Sequence, residues 1–600
     1  MSQSLTTVRY EWKAIPWRKL EVKVFKLQKR IYQASLREDV RLVHKLQRLL
    51  VKSWAAKCLA VRRVTQDNQG KKTAGVDGVK ALKPWQRLKM VLALKVGASK
   101  LPTRRVYIPK PHSDEQRPLG IPVMQDRASQ ALLKLALEPE WEAKFEPNSY
   151  GFRPGRSVHD AIQAIHKAIR QKPKFVLDAD IAKCFDRINH EALLEKISTF
   201  PSFARVIKAW LRTGVLDQGN LFPTEEGTPQ GGVISPLLAN IALHGLETAI
   251  VSAYPAHKKV DGQEQKWKPQ LIRYADDFVI LHPNRQVIEE CKTIASVWLK
   301  GLGLELKPSK TRVTHTLQAI EECDSPGFDF LGFNIRTYLV GKNRSGKDAY
   351  GRHLGYRTFI KPSKENIKTH YRKLTEHIDR MRGATQEALI DSLTPMIVGW
   401  CNYYSSAVSS EIFSKLNYDL TGKLMQWGKR RHANKSTHWI VNKYWLLKDG
   451  LGWTFGVSPQ NTLIKHTDIK IKRHIKVKGI ATPYDGDWVY WSQRTGKVPG
   501  TPIRVSSALK RQQGKCVKCE LCLKLEDLIE MHHLDGNHGN NRKDNLAAVH
   551  KHCHDQIHSK NGNLSTQLSI YVKDQLGEEP DEEKFSSPVL KSSRKGDLPA

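Results

Sequence analysis

The stretch Leu271-Ile-Arg-Tyr-Ala-Asp-Asp-Phe-Val-Ile-Leu281 sets two strand-forming apolar runs on either side of an Ala-Asp-Asp turn. It reads as a β-hairpin with two adjacent carboxylates at its tip. Asp is disfavoured in strands and costly beside apolar neighbours unless it is paired or bound to a metal. Two adjacent carboxylates repel each other, and a divalent cation is the natural relief. Taken alone, an Asp-Asp pair at a hairpin tip is more often a solvated turn than a metal site.

A second segment changes the weighing. Phe175-Val-Leu-Asp-Ala-Asp-Ile181 is another short apolar strand, and it runs into Ala182-Lys-Cys-Phe-Asp186. Asp180 stands where that strand ends. A nucleotidyl transferase needs a few carboxylates converging on two metal ions, one to activate the attacking hydroxyl and one to steady the leaving oxygen. Asp180, Asp276 and Asp277 have the chemistry for such a site, provided the two strands pair.

These residues resemble a known family. Tyr274-Ala-Asp-Asp277 is similar to the YxDD box of reverse transcriptases, and Asp180 with Phe185 to that family's first catalytic motif. Further blocks follow in the family's order. Arg105-Val-Tyr-Ile-Pro-Lys-Pro111 and Arg117-Pro-Leu-Gly-Ile-Pro122 resemble the fingers motif, and Tyr150-Gly-Phe-Arg-Pro-Gly-Arg-Ser157 resembles the next. Gly227-Thr-Pro-Gln-Gly-Gly-Val-Ile-Ser-Pro-Leu-Leu238 resembles the block that shapes the dNTP pocket. Gly303-Leu-Glu-Leu-Lys-Pro-Ser-Lys-Thr311 and Phe330-Leu-Gly-Phe333 resemble the last two. The resemblance implies an RNA-directed DNA polymerase in which Asp180 and Asp276 ligate Mg²⁺ and Asp277 completes the site. It implies that Phe185 lies under the sugar and crowds a 2′-hydroxyl, and that Pro229, Gln230 and Gly231 line the incoming nucleotide. Lys110 and Arg117 would contact the triphosphate, where charge-assisted contacts are strong; each is also readable as a plain surface cation of the fingers.

Beyond the palm, residues 362–450 read as mainly helical and rich in Trp, Tyr, Lys and Arg. Ile397-Val-Gly-Trp-Cys-Asn-Tyr-Tyr404 places aromatics on a helix, partly as a core stripe. The run from Lys429-Arg-Arg-His-Ala-Asn-Lys435 to Lys443-Tyr-Trp445 suits RNA backbone contact with base stacking. This region resembles the thumb and maturase domain of group II intron proteins, which implies intron RNA as a partner. Residues 469–478, IKIKRHIKVK, alternate with period two. They are expected to form a strand with Ile469, Ile471, Ile475 and Val477 on one face and a basic surface on the other. That family's DNA-binding segment falls here only by position, and a solvated face is nearly as good a reading.

Cys516-x-x-Cys519 and His550-x-x-Cys553 have zinc-ligand spacing. A closed Zn²⁺ site would staple about fifty residues that lack a large core. Cys522 is a spare thiol. Overlaid on these residues, His532-His533, Asn545 and His554-x-x-x-His558 resemble the HNH, or ββα-metal, nuclease. The resemblance implies His533 as general base, Asn545 as the group that orients it, and His532, His554 and His558 as ligands of one divalent ion. The loop after His533 lacks the Pro that often follows the His pair, and a zinc ribbon with incidental histidines is the plain alternative.

Composition agrees with a polyanionic partner: 98 Lys and Arg against 60 Asp and Glu leave a formal charge of +38, spread along most of the chain. A generic basic binding protein shares that feature. The start lacks an apolar core of signal-peptide length, and no run of ~18 apolar residues occurs, so no membrane association is expected. Five isolated cysteines and one Cys/His cluster fit a reducing compartment; a bacterial-type cytoplasmic, nucleoid-associated location is expected. The expected architecture is a multidomain α+β chain. It comprises an N-terminal helical extension (1–65), right-hand polymerase fingers and palm (66–345) and a helical thumb or maturase domain (360–455). A DNA-binding segment (456–510), a zinc-stapled ββα-metal domain (511–562) and a disordered tail (563–600) follow. The implied function is a group II intron protein that helps its RNA splice, nicks target DNA and copies the intron from dNTPs. A maturase without polymerase activity and a reverse transcriptase serving defence or diversity generation are the rivals.

Overall fold

The computed structural model describes residues 11–559, apart from 99–100, 110–114, 261, 322, 349, 449–451 and 526. Lys110 and the tail at 563–600 lie outside the described residues. The chain divides into two compact units, one of residues 1–13 and 31–482 and one of residues 14–30 and 483–600. Among the described residues no helix is long and apolar enough to cross a membrane.

In the first unit, the three- and four-residue spacing of apolar side chains gives the helix Val40–Lys52, with Val43, Leu46 and Leu50 buried and Asp39 capping its start. This helix and Trp54–Arg62 pack on the long helix Met124–Glu142. The fingers hairpin joins Thr103–Pro109 to Gln116–Ile121, placing Ile108 opposite Arg117. Its first strand also pairs, in parallel, with Val215–Asp217, which closes a four-stranded sheet with Asn220–Phe222.

The palm is a four-stranded antiparallel sheet in the order Arg312–His315, Phe175–Asp180, Asp277–His282, Gln270–Tyr274. Val176, Leu177, Phe278, Val279, Ile280 and Leu281 are all fully buried within it. The helices Val158–Ile169 and Arg285–Lys300 pack against its strands. A three-stranded sheet, Phe328–Phe330, Phe333–Leu339 and Tyr356–Pro362, leads into the thumb.

The thumb helices are Lys364–Arg380, Gln386–Tyr404, Ser410–Arg431 and Thr437–Tyr444. Ser363, Thr385 and Ser436 cap three of them through their hydroxyls. Ile397, Cys401 and Tyr404 form the buried stripe, and Trp400 stacks on His370 with ring centroids 4.5 Å apart.

Residues 469–478 differ from the expected strand: they form no ladder. A strand needs a partner for its backbone, and here loops and a carboxylate supply the bonds instead. The Lys472 N–H donates to Ser405 O at 2.8 Å, and the Val477 N–H donates to Asp160 Oδ1 at 2.7 Å. The expected apolar face is split as well, with Val477 buried but Ile475 76% exposed.

In the second unit, the helices Trp488–Thr495 and Ile503–Arg511 precede a two-stranded antiparallel sheet, Ile529–His533 with Leu546–His550, and the helix Lys551–Ser559. One core runs through all of these, from Val489, Val505 and Leu509 to Ile529, Leu546 and Val549. The helices at 488–511 therefore share their core with the Cys/His residues.

Candidate functional site

The palm brings its carboxylates together by strand register. Asp180 lies directly opposite Asp277, and Tyr274 pairs with Asp277 across the hairpin, which leaves Ala275 and Asp276 as the two-residue turn. Ala275 takes a left-handed φ of 59°, a conformation that costs a residue with a side chain. Two features hold it there. The guanidinium of Arg273, fully buried, donates to Ala275 O and Asn240 Oδ1, each at 3.1 Å. From the other side Gly151 approaches so closely that a Cβ on it would overlap the Ala275 backbone. That approach explains the glycine of the Tyr150–Ser157 block. The rest of the block is built into the fold: Arg153 grips Glu142 with two bonds of 2.9 Å, and Ser157 and Asp160 form a capping box.

Crowding sets the electrostatics. Burial, then the neighbouring Asp276 and Asp180, pushes the Asp277 carboxyl up to about 7, with a hydrogen bond to Asp180 adding to the shift. Burial and Asp180 also raise Asp276, while Arg117 and Lys310 oppose the rise. Lys310 places its ammonium 2.8 Å from the Asp180 carboxylate, a bond that holds the lysine above its ordinary value. This cation stands where positive charge is needed. Sequence reasoning gave it no role, although it belongs to the Gly303–Thr311 block. Asp178 is raised by burial to about 6 and leans on Arg312 at 3.2 Å. The three palm carboxylates are not among the groups whose candidate ligand atoms all lie within 4.8 Å of one another. Their charge nevertheless suits a divalent cation: buried, mutually repelling acids with one ammonium beside them are the donor set that such an ion relieves.

Beside the triad, a cavity of about 750 Å³ is lined by Arg105, Gly120, Phe185, Thr228, Pro229 and Gln230, among others. Phe185, Pro229 and Gln230 thus share one pocket. Gln230 Nε2 donates to both oxygens of Asp186 at 3.1 Å, which fixes its amide. Phe185 meets Phe152 edge-on, with centroids 6.3 Å apart. Gly231 is not in the lining. It packs against the Gly120 carbonyl of the fingers, where a Cβ would collide. Gly227 has φ +83° and abuts the Asp186 backbone in the same way. Arg117 is exposed and acts on the triad through its charge.

The second unit holds two clusters, and within each the candidate ligand atoms lie within 4.8 Å of one another: Cys516, Cys519, His550 and Cys553, and His532, His554 and His558. Cys522 is left outside, exposed. His550 Nδ1 lies 3.4 Å from Cys519 Sγ, and its Nε2 is 3.4 Å from Asp527, the kind of outer partner that orients a ligating imidazole. Burial alone would raise the Cys516 thiol, but bonds from the Cys519, His550 and Lys518 backbone N–H groups bring it down to about 6, toward the thiolate a metal requires. Around the second cluster, His554 Nδ1 pairs with Glu530 at 2.7 Å, and its Nε2 lies 3.1 Å from His558 Nε2. His533 sits at the edge of the same sheet with its Nε2 buried and unbonded. Asn545, expected to orient His533, uses its side chain otherwise. It donates to Asp535 Oδ1 and Asn540 O, both at 2.8 Å, and accepts from the Asp535 N–H at 3.0 Å. It therefore shapes the loop that follows the His pair.

Comparison with known proteins agrees with this layout. Residues 12–94 match the N-terminal domain of reverse transcriptase, 108–335 the reverse transcriptase (RNA-dependent DNA polymerase) family, and 367–445 the group II intron maturase-specific domain. Protein YkfC of Escherichia coli is 33% identical over 49% of this chain and 83% of its own length. The group II intron-encoded protein LtrA of Lactococcus lactis is 28% identical over 82% of this chain and 92% of its own. Maturase-like protein 1 of Euglena gracilis is 30% identical over 38% of this chain and 51% of its own. With a palm, a helical thumb and these matches in chain order, the chain belongs to the group II intron-encoded reverse transcriptase and maturase family.

Proposed function

We propose that this protein copies intron RNA into DNA with Asp180, Asp276 and Asp277 as the acidic centre, and that it nicks target DNA with its Cys/His module. The observation that carries the polymerase reading is the register that sets Asp180 opposite Asp277 beside a pocket lined by Phe185 and Gln230. Asp180, Asp276 and Asp277 would hold Mg²⁺, which when bound supplies Lewis acidity at the reacting oxygens. The chain's own groups then have distinct tasks. Phe185 presents a flat apolar edge where a 2′-hydroxyl would clash. Pro229 and the amide-locked Gln230 shape the nucleotide site, Gly231 keeps fingers and palm close, and Arg117 supplies charge toward the triphosphate. Lys110 is proposed for the same role from the sequence.

Residues 364–445, basic and aromatic, would grip intron RNA and favour its splicing-competent fold. In the module, Cys516, Cys519, His550 and Cys553 would hold Zn²⁺ and serve as a staple. His532, His554 and His558 would hold one divalent ion, and the unbonded His533 Nε2 is available to take a proton from water. Asn545 would stiffen the loop that presents His533. These activities together amount to target-primed copying of the intron.

Asp276→Asn tests the centre. DNA synthesis on a primed RNA template should fall at least ~10³-fold, a loss of ~4 kcal/mol of barrier lowering, while intron RNA affinity stays within about twofold. Equal loss of both would sink the assignment of separate sites. His533→Ala should remove strand nicking at the target DNA and spare primer extension; nicking at the wild-type rate would reassign the base.

A further inference from the structure

A groove of about 820 Å³ opens between the helix Val158–Ile169, the strand Tyr356–Pro362, the turn at 406–408 and residues 473–476. Its wall carries Lys167, Arg170, Lys347, Arg357, Arg473 and Lys476 together with His166 and His474. Asp348 is the one carboxylate in that wall, and it is already engaged by Arg352 at 2.7 Å and by two backbone N–H groups. Among the described residues, Lys167, Arg170, Arg357 and Arg473 have no ion-pair partner.

Like charges are being held together here. Burial first, then the charges of Arg170 and Arg473, keeps His166 below its ordinary value. Burial, Arg156 and Lys167 do the same to Lys476. Cations crowded in this way repel one another unless an anion joins them.

The wall is also rigidly built. The Asp160 carboxylate, with its side chain wholly buried, takes His474 Nε2 at 2.9 Å and the Val477 N–H at 2.7 Å. Lys476 Nζ reaches Tyr150 OH at 3.2 Å, and Arg156 holds Gly479 O at 2.8 Å. The strap at 469–478 is thus clamped to the palm along its length.

The groove is separate from the carboxylate centre. It borders Gln171, ahead of the strand Phe175–Asp180, whose far end carries Asp180. Six residues at ~3.4 Å each set about 17 Å between the ends of that strand.

We infer that this groove is a second nucleic-acid site, which binds sugar–phosphate backbone at the end of the palm opposite the polymerase centre. Several unpaired cations on a fixed surface match a run of phosphates, and each phosphate neutralised releases a counterion. RNA and DNA both supply that chemistry. The inference rests on the proposed function for its partner class but not for its geometry.

The test uses the full-length chain, a fluorescein-labelled RNA hairpin and a DNA hairpin of the same sequence, each titrated at several KCl concentrations. The variant Lys167→Gln/Arg170→Gln/Arg357→Gln/Arg473→Gln should bind at least one hairpin about 10–100-fold more weakly at 0.1 M KCl. Its slope of log K against log[KCl] should be shallower by about 3, near 0.9 per lost phosphate contact. Primer extension at saturating short primer–template should stay within twofold of wild type. The charge-preserving variant Lys167→Arg/Arg170→Lys/Arg357→Lys/Arg473→Lys should keep the wild-type slope, which separates charge from folding. A change for RNA alone, for DNA alone or for both supports the site and names its source. An unchanged slope for both hairpins overturns it, which would leave an acidic protein as the groove's partner. A parallel loss of primer extension also overturns it, because the groove would then belong to the polymerase cleft. A change in slope in a wild-type protein that extends no primer would sink the polymerase reading and leave the groove standing.

Discussion

In the palm, Asp180 and Asp277 face each other across strands whose other residues are already a dry apolar core. In the Cys/His module, Cys516 and Cys553 are themselves core residues, 1% and 2% exposed, packed among Leu509, Ile529 and Val549. The palm site is therefore positioned by a scaffold that stands without it, and its acids are a burden which that scaffold carries. The module's ligands are part of what holds it up. Small domains of this kind gain much of their folding free energy from the metal itself.

The largest effect expected from this contrast lies in the module. Cys553→Ser, or a zinc chelator at neutral pH, should abolish hydrogen-exchange protection across 516–558. Primer extension should keep at least half its rate, because no palm residue depends on that cluster. Exchange protection that survives the loss of Cys553 would mean the apolar core suffices alone. The parallel substitution in the palm, Asp276→Asn, should leave exchange across 175–180 and 277–282 unchanged while removing activity.

The two regions were also unequally legible in the sequence. The module's ligand spacing is local, so Cys516, Cys519, His550 and Cys553 could be grouped before any fold was known. The palm triad needed a pairing between residues about a hundred positions apart, which family blocks supplied and periodicity could not. What escaped was decided by tertiary partners. The period-two run at 469–478 satisfies its backbone with Asp160 and Ser405 rather than with another strand. Lys310 gains its place only when the strand Arg312–His315 lies beside Phe175–Asp180. Asn545 turns to its own loop, and Gly151 matters because of Ala275, far along the chain.

A smaller and more discriminating effect should come from the charge of the palm. Asp277 has its carboxyl raised from 3.8 to about 7, so the fold favours the protonated form. For a group shifted this way, the stability contribution is complete below pH ~4 and is lost as pH rises through about 7. Each pKa unit is worth about 1.4 kcal/mol at most. In EDTA, the melting temperature of the polymerase unit should fall between pH 5 and pH 8, and Asp277→Asn should remove most of that fall. At pH 8 the variant should melt about 2–5 °C above wild type, the size expected for a small number of kcal/mol in a unit this large. Millimolar Mg²⁺ should then raise the wild type and move the variant less, because binding stabilises only a site that keeps its ligands. Equal Mg²⁺ shifts in both proteins would mean that the ion acts elsewhere on the surface, and the acids of the palm would need another explanation than a cation held between them.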